Sequence, residues 1–422
     1  MLKQIEKIFT VAILFYFASA ISQFVSGDTS AMALTGGSLV AFTVQTAFYL
    51  VALCLVALHW RRFIHGAWNA KWIVLLVLVA VVSTGWSQDP LFTLRRSAVM
   101  LASTAFGIYF GSRFTVSEQL SLLGWTCALF VFASASLAIF LPQYGVDHVL
   151  FPGAWRGTFT HKNTLGRAMV FSMLVFYFAR PPAHRWIRWV GIAGALCLLV
   201  LSRSATGIVV SAVMVTTLPM YRFFRFKLTV LIPVIVAVGV GAVGVGLLSY
   251  QILPSALRVL QRDATLTGRT DLWHALLLSI AKRPWLGYGF NAFWMEKGES
   301  LSVVQQVDWM AKSGHNGFVD VTLDVGILGL SILIVGYLVF WRRALRLLRR
   351  TREVVPIWLC TYLTFMLVYN LTESAILAQN NIFWVVYAST AVSVSLYAPS
   401  LCAPYSHPPL QAVYPEQIGV TC

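Results

Sequence analysis

Charge is scarce in this chain, and acidic charge is scarcest. Only 11% of the 422 residues are charged, and Lys and Arg outnumber Asp and Glu by 31 to 15. Soluble domains carry roughly 25% charged residues, so the shortage excludes an ordinary water-soluble protein. Cysteine is equally thin. Six residues, at 54, 127, 197, 360, 402 and 422, lie scattered with no CxxC spacing, which excludes a disulfide framework and a cysteine-based zinc site. The segments expected outside the membrane contain no Asp-x-Asp. Soluble transferases that use nucleotide sugars often need such a pair to hold a metal, so neither a metal nor another cofactor is expected here. No internal repeat is evident either, which speaks against the inverted-repeat transporter designs.

Apolar sequence is what the chain has in abundance: 58% of residues are hydrophobic, and the mean hydropathy is +0.76. A bilayer span needs about 20 apolar residues. Runs at about 8–25, 35–58, 72–86, 97–112, 120–141, 165–180, 188–202, 206–220, 228–250, 317–341, 356–373 and 381–398 predict an all-α polytopic membrane protein of about twelve transmembrane helices. Residues 1–399 read as one transmembrane domain. Residues 400–422, Pro-rich and nearly uncharged, read as a disordered cytoplasmic tail. The start resembles a signal sequence with Ala18-Ser19-Ala20 as its cleavage site; the many spans that follow favour an uncleaved first span. Lys and Arg concentrate in the short segments on the side of the termini, which puts both termini in the cytoplasm. The formal net charge of +16 then reflects topology, and nucleic acid is not an expected partner.

The long outer segment, about 251–316, is rich in Trp and Leu and is not a linker. Gly268-Arg269-Thr270-Asp271-Leu-Trp273 reads as a helix start, with Thr270 as cap and Asp271 in the first turn. The helix should stop before Pro284, and Pro284-Trp-Leu-Gly287-Tyr-Gly289 should turn. The segment is expected to fold back onto the membrane surface as a lid.

The outer face is not depleted of cations. Arg156-Gly-Thr-Phe-Thr-His161-Lys162-Asn163-Thr-Leu-Gly166-Arg167 sets three cations and a histidine between two apolar runs. Ionisable groups retained at a membrane usually mark a site. Arg203 sits in the tight Ser202-Arg203-Ser204 turn, Arg269 in the long loop, and His315-Asn316 at the mouth of the tenth span. An arginine fork suits phosphate, and a histidine suits removal of a hydroxyl proton. Together they fit a lipid diphosphate leaving and a hydroxyl attacking. Plainer readings stand beside these. Arg95, Arg96 and Arg167 can snorkel to headgroups, His161 and Lys162 can belong to a solvated loop, and His315 can be a cap. Asp320 and Asp324, one turn apart, can orient His315, pair with an arginine, or bind a proton or cation in a transporter.

These segments resemble those of the bacterial O-antigen ligase and Wzy-type polysaccharide polymerase family, closest to its ExoQ-like exopolysaccharide branch. The matching stretches are Arg156 to Gly166, Ser202-Arg203-Ser204-Ala-Thr206-Gly207, Gly268 to Trp273 with Pro284 to Gly289, and His315-Asn316-Gly-Phe, in that order. The resemblance implies a C-type glycosyltransferase-like fold in the bacterial inner membrane, with its site at the periplasmic face. It implies inverting, metal-independent transfer from an undecaprenyl diphosphate-linked oligosaccharide. Arg203 and Arg269 would bind the diphosphate, and His315 would be the base, supported by Asn316 and Asp320. Arg156, His161 and Lys162 would hold phosphate or acceptor sugar. The acceptor is either the next glycan repeat unit, which makes a polymerase, or lipid A-core, which makes a ligase. A flippase of lipid-linked sugars is the rival of another class, and it would place its charges along a midplane path.

Overall fold

Every expected apolar run except 228–250 holds helix in its described part, and the 228–250 run lies outside the described residues. The computed structural model describes residues 2–18, 39–179, 185–223, 269–295, 298–307 and 311–400. Its helices are α1 (Leu2–Phe17), α2 (Leu39–Leu58), α3 (Trp60–Asn69), α4 (Lys71–Val82), α5 (Pro90–Arg113), α6 (Val116–Phe140) and α7 (Lys162–Phe178). There follow α8 (Arg185–Leu201), α9 (Ala205–Phe223), α10 (Arg269–Lys282), α11 (Glu299–Val307), α12 (Gly317–Arg350), α13 (Val355–Asn370) and α14 (Ile382–Ser400). The expected tail beyond Ser400 lies outside the described residues. β structure among the described residues amounts to one isolated bridge, Val146 to Trp155.

Local chemistry sets the helix starts. The Asp89 side chain accepts from Phe92 N at 3.1 Å, and Pro90 takes the first helical position of α5, where no amide donor is needed. Thr115 and Glu118 form a reciprocal capping box at α6, satisfying two orphan donors.

By length and composition α6, α9 and α12 are each able to cross a bilayer, and α2 with α3, bent by 91°, would make a fourth such span. Helices α4, α8, α13 and α14 are apolar but shorter. Helix α5, which carries Arg95, Arg96 and Arg113, and the 17-residue α7, which carries Arg167, do not meet that standard. The expectation of about twelve crossings therefore exceeds what the helices support on their own. Lipid tails are as apolar as leucine, so close packing has to hold such helices together. Gly107 and Gly111, four residues apart on α5, let α14 approach: a Cβ at Gly107 would stand 2.8 Å from Val385 O, and one at Gly111 2.7 Å from Ser389 O.

The tenth expected span departs most from the sequence reading. α12 breaks at Gly326, whose φ is +69°, and the Pro284–Gly289 part of the loop after α10 pairs with the broken backbone. Tyr288 N donates to Leu323 O at 2.7 Å and Gly289 N to Asp324 O at 3.0 Å, while Ile327 N donates to Pro284 O at 2.8 Å. Backbone N–H and C=O groups opened inside a packed helix bundle are costly unless they are paired, and these bonds pair them. The 284–289 segment also ties down the 83–93 region, with Gln88 N donating to Tyr288 O and Phe290 N to the Ser83 hydroxyl. A second small core, including Leu272, Leu276, Tyr288, Phe293 and Val303, joins α10 and α11 to this loop.

A Cβ at Gly326 would lie 2.1 Å from Trp285 O, in addition to the strain of positive φ. Gly326→Ala is expected to lower stability by about 2 kcal/mol or more, read as thermal unfolding of the detergent-purified protein. Gly85→Ala is the control, since nothing lies within 4 Å of its Cβ position.

Candidate functional site

Four separated stretches meet at one end of the bundle. They are the segment before α7, the turn between α8 and α9, the start of α12, and the loop between α13 and α14. The chain's first residues lie at the other end, where Lys3 and Lys7 reach Glu118 at 3.7 Å.

The turn between α8 and α9 is held by its serines. Ser204 N donates to Ser202 Oγ at 3.2 Å, and Ser204 Oγ in turn accepts from Gly207 N at 3.2 Å. Between them Arg203 takes a left-handed conformation, φ +51°, which turns its side chain outward. Gly166 and Gly207 permit the close crossing of α7 and α9: a Cβ at Gly166 would stand 2.6 Å from that of Ser204. Two motif glycines and two motif serines are thus accounted for by one crossing.

His161 caps α7 through its ring: Nδ1 accepts from Asn163 N at 3.1 Å. Only a ring nitrogen without a proton can accept, so this cap requires neutral imidazole with its proton on Nε2. Burial lowers the pKa of His161 from the usual 6.5, and Lys162 and His315 lower it further against the pull of Glu373. The ring of Phe151 stands edge-on to His161 at 5.4 Å, and Lys162 Nζ lies 3.7 Å over the same ring. Lys162 is buried, not solvated.

The 141–161 loop is folded by main-chain bonds, among them Trp155 N to Leu201 O at 3.0 Å. Asp147 caps its turn, accepting from the amides of Val149, Leu150 and Phe151. Burial alone would raise the Asp147 pKa, but these amides outweigh it and lower the value. Arg156 turns into this loop, donating through Nε to Tyr144 O at 2.9 Å. Arg203 Nη1 reaches Pro152 O at 3.5 Å.

His315 sits just before α12 with φ +46°, and Asn316 caps that helix, its Oδ1 accepting from Phe318 N and Val319 N. Asp320, fully engaged in the interior, accepts from Gly314 N at 2.8 Å and Trp294 Nε1 at 3.2 Å, and from the Ser374 hydroxyl. Asp324 accepts from Asn291 N at 3.0 Å. The two acids that could pair with arginine or bind a cation are therefore used to fix loops.

The residue missed in the sequence is Glu373. Its Oε2 lies 3.3 Å from His315 Nδ1, and its Oε1 accepts from Asn163 Nδ2 at 3.1 Å. Asn163 Oδ1 accepts from Ser204 Oγ at 3.1 Å. One carboxylate thus joins His315 to the His161-Lys162-Asn163 motif and to the Ser202–Ser204 turn. Arg269 opens α10; its side chain lies outside the described residues, and Thr270 lies within the helix where a cap was expected. Trp273, one turn on, donates to Gly314 O at 2.8 Å, which links α10 to the residue before His315. Arg167 does not snorkel: its guanidinium carbon lies 4.9 Å from the Tyr369 ring centre and 4.6 Å from that of Phe383, and its buried Nε has no hydrogen-bond partner among the described residues. Arg96 likewise stacks on Phe92 at 4.8 Å. Among the described residues no group of three His, Cys, Asp or Glu side chains is arranged to hold a metal.

The His161 cap makes a pH prediction. Its contribution is present above pH 6.5 and is lost as pH falls through the lowered pKa of His161, because protonated imidazole cannot accept. His161→Asn keeps an accepting cap that does not titrate. The acid-side loss of thermal stability should be shallower in His161→Asn than in the parent; parallel pH curves would count against the ring as the cap.

The sequence was also compared with known proteins. Residues 190–334 match the family model described as O-Antigen ligase. The chain is also 25% identical over 324 residues to the exopolysaccharide production protein ExoQ of Rhizobium meliloti (strain 1021), covering 73% of each chain. The two findings bear out the resemblance to the O-antigen ligase and Wzy-type family. The family match includes Arg203, Arg269 and His315, and it leaves out the 156–167 segment and Glu373.

Proposed function

We propose, from the premise that this chain is of O-antigen ligase and Wzy type, that it is an inner-membrane glycosyltransferase polymerising lipid-linked glycan repeat units at the periplasmic face. The donor is an undecaprenyl diphosphate-linked oligosaccharide, and the acceptor is a hydroxyl of the next unit. The observation that carries this reading is the Glu373 bridge, which brings a histidine, its carboxylate partner and the cation-rich motif to one end of an apolar bundle. The similarity to an exopolysaccharide production protein favours polymerisation. The match to an O-antigen ligase model favours the same transfer onto lipid A-core as the second reading.

In this mechanism Glu373 holds His315 at Nδ1, so Nε2 meets the acceptor hydroxyl and takes its proton. The acceptor oxygen attacks the anomeric carbon of the donor sugar from the face opposite the diphosphate. The carbon–oxygen bond to the diphosphate breaks, its electron pair stays on the leaving oxygen, and the configuration inverts. Arg203 and Arg269 hold the leaving diphosphate and stabilise its growing negative charge. The imidazolium left on His315 is stabilised by Glu373. The diphosphate already activates the donor, so neither nucleotide nor metal enters a step.

The test uses purified protein in lipid vesicles with an undecaprenyl diphosphate-linked repeat unit, with products resolved by mass. A ladder of repeat multiples is expected; an adduct that forms only when lipid A-core is supplied would make the protein a ligase instead. His315→Ala should lower the rate by about 10²- to 10⁴-fold, and full activity in a folded variant would remove the base assignment. Glu373→Gln should lower kcat roughly 10- to 10³-fold with donor KM little changed. Arg203→Lys keeps the charge and loses the fork, so it should weaken donor binding.

A further inference from the structure

The end of the bundle opposite His315 carries a second group of cations that glycosyl transfer does not use. After Leu58 the chain bends by 91° from α2 into α3. Gly66 of α3 packs against α5, where an added Cβ would stand 3.0 Å from that of Ser112. The other side of α3 is open, with Trp60, Ile64 and Trp68 exposed, Trp68 by 80%. A short amphipathic helix set across the end of a span, with tryptophans facing out, lies at headgroup level.

The bend encloses an open cavity of about 290 Å³ lined by Leu58, His59, Trp60, Arg61, Arg62 and Arg113. None of these is acidic. Behind the lining, Glu6 of α1 is paired with Arg113, which donates to it through Nε at 2.8 Å and Nη2 at 2.7 Å. Glu6 also accepts from the Tyr109 hydroxyl at 2.7 Å and lies 3.6 Å from His59 Nε2. Glu6 is shared by Arg113 and His59, and the cavity lining itself brings Arg61, Arg62 and Arg113 together with no carboxylate. Arg61 makes no ion pair or hydrogen bond among the described residues; its guanidinium carbon lies 5.4 Å over the Trp60 ring. Leu58, beside the arginines, is 74% exposed. A cationic cavity with an exposed apolar rim, at headgroup depth, matches a molecule that joins a phosphate to hydrocarbon.

We propose that this cavity binds the phosphate of an anionic phospholipid, with Arg61 and Arg62 on the phosphate and the acyl chains against Leu58 and Trp60. The lipid would pin α3 in the membrane plane and fix the bend. A soluble phosphate shares the headgroup chemistry but gains nothing from the apolar rim.

The experiment is native mass spectrometry of the full chain in detergent, titrated with phosphatidylglycerol, with phosphatidylcholine, and with phosphatidylglycerol in the presence of inorganic phosphate. Phosphatidylglycerol is expected to bind about tenfold or more tightly than phosphatidylcholine, and millimolar inorganic phosphate should not displace it. The Arg61→Gln/Arg62→Gln variant should bind phosphatidylglycerol about tenfold or more weakly, since each surface arginine contributes to attraction for anionic lipid. Equal binding of the two lipids by the parent protein, or undiminished binding by a folded variant, would overturn the proposal. Displacement by inorganic phosphate would overturn the lipid assignment in favour of a soluble anion. The parent protein's lipid selectivity is decisive even where the variant does not fold.

Discussion

An apolar bundle has no tolerance for an opened main chain, and the rest of this structure depends on how one opening is closed. α12 is interrupted at Gly326, and the Pro284–Gly289 segment supplies the partners its broken ends lack. The consequence reaches the site through a short series of bonds. The inserted segment continues to Asn291, which binds Asp324, and to Trp294, which binds Asp320. Asp320 holds Gly314 N, and the next residue is His315. A histidine at positive φ stays there only when its surroundings over-determine it. Here the helix break, the loop and one carboxylate do so.

The second constraint is electrostatic. Acidic groups are few, so each one has a large local effect. Glu373 engages His315 and Asn163 with different oxygens, and Asn163 passes the connection to Ser204. Three chain segments far apart in sequence are thereby held in register by one charge. A carboxylate against Nδ1 fixes which imidazole nitrogen is presented outward, the logic that hydrolase triads also use.

The helices were legible because apolar runs of span length have one common solution, and the starts of α7, α9 and α12 were legible from their polar punctuation; the far end of α12, at Arg350 and not 341, was not. Gly326 was not, because Val325-Gly326-Ile327-Leu328-Gly329 reads as uninterrupted apolar helix and glycine inside a helix pattern is tolerated. The partner segment, 284–289, announces a turn but not where the turn goes. Glu373 was missed for a related reason: it stands alone after a span, with no spacing to a histidine or an asparagine. Its one signal is rarity, an acid at a span end in a chain where cations outnumber acids by 31 to 15. Asp320 and Asp324 drew attention by sharing a helix face, yet folding turned both toward backbone amides and an indole.

The sequence reading gives Arg203 the diphosphate and leaves Arg156 and Lys162 to phosphate or acceptor sugar, and the three side chains differ in what already engages them. Arg156 has a good acceptor in Tyr144 O at 2.9 Å, so releasing it would unfasten the loop it closes. Lys162 is buried against the Phe151 ring, where its charge acts through a low-dielectric medium and carries further than it would in water. Arg203 is exposed and, among the described residues, reaches only Pro152 O, at 3.5 Å, a length at which a neutral acceptor contributes little. A charged phosphate oxygen makes a hydrogen bond roughly twice as strong as a neutral acceptor does. A diphosphate arriving at this end of the bundle would therefore take Arg203 with little to displace. It would gain field from Lys162 without needing to touch it, and leave Arg156 to hold the loop that shapes the entrance.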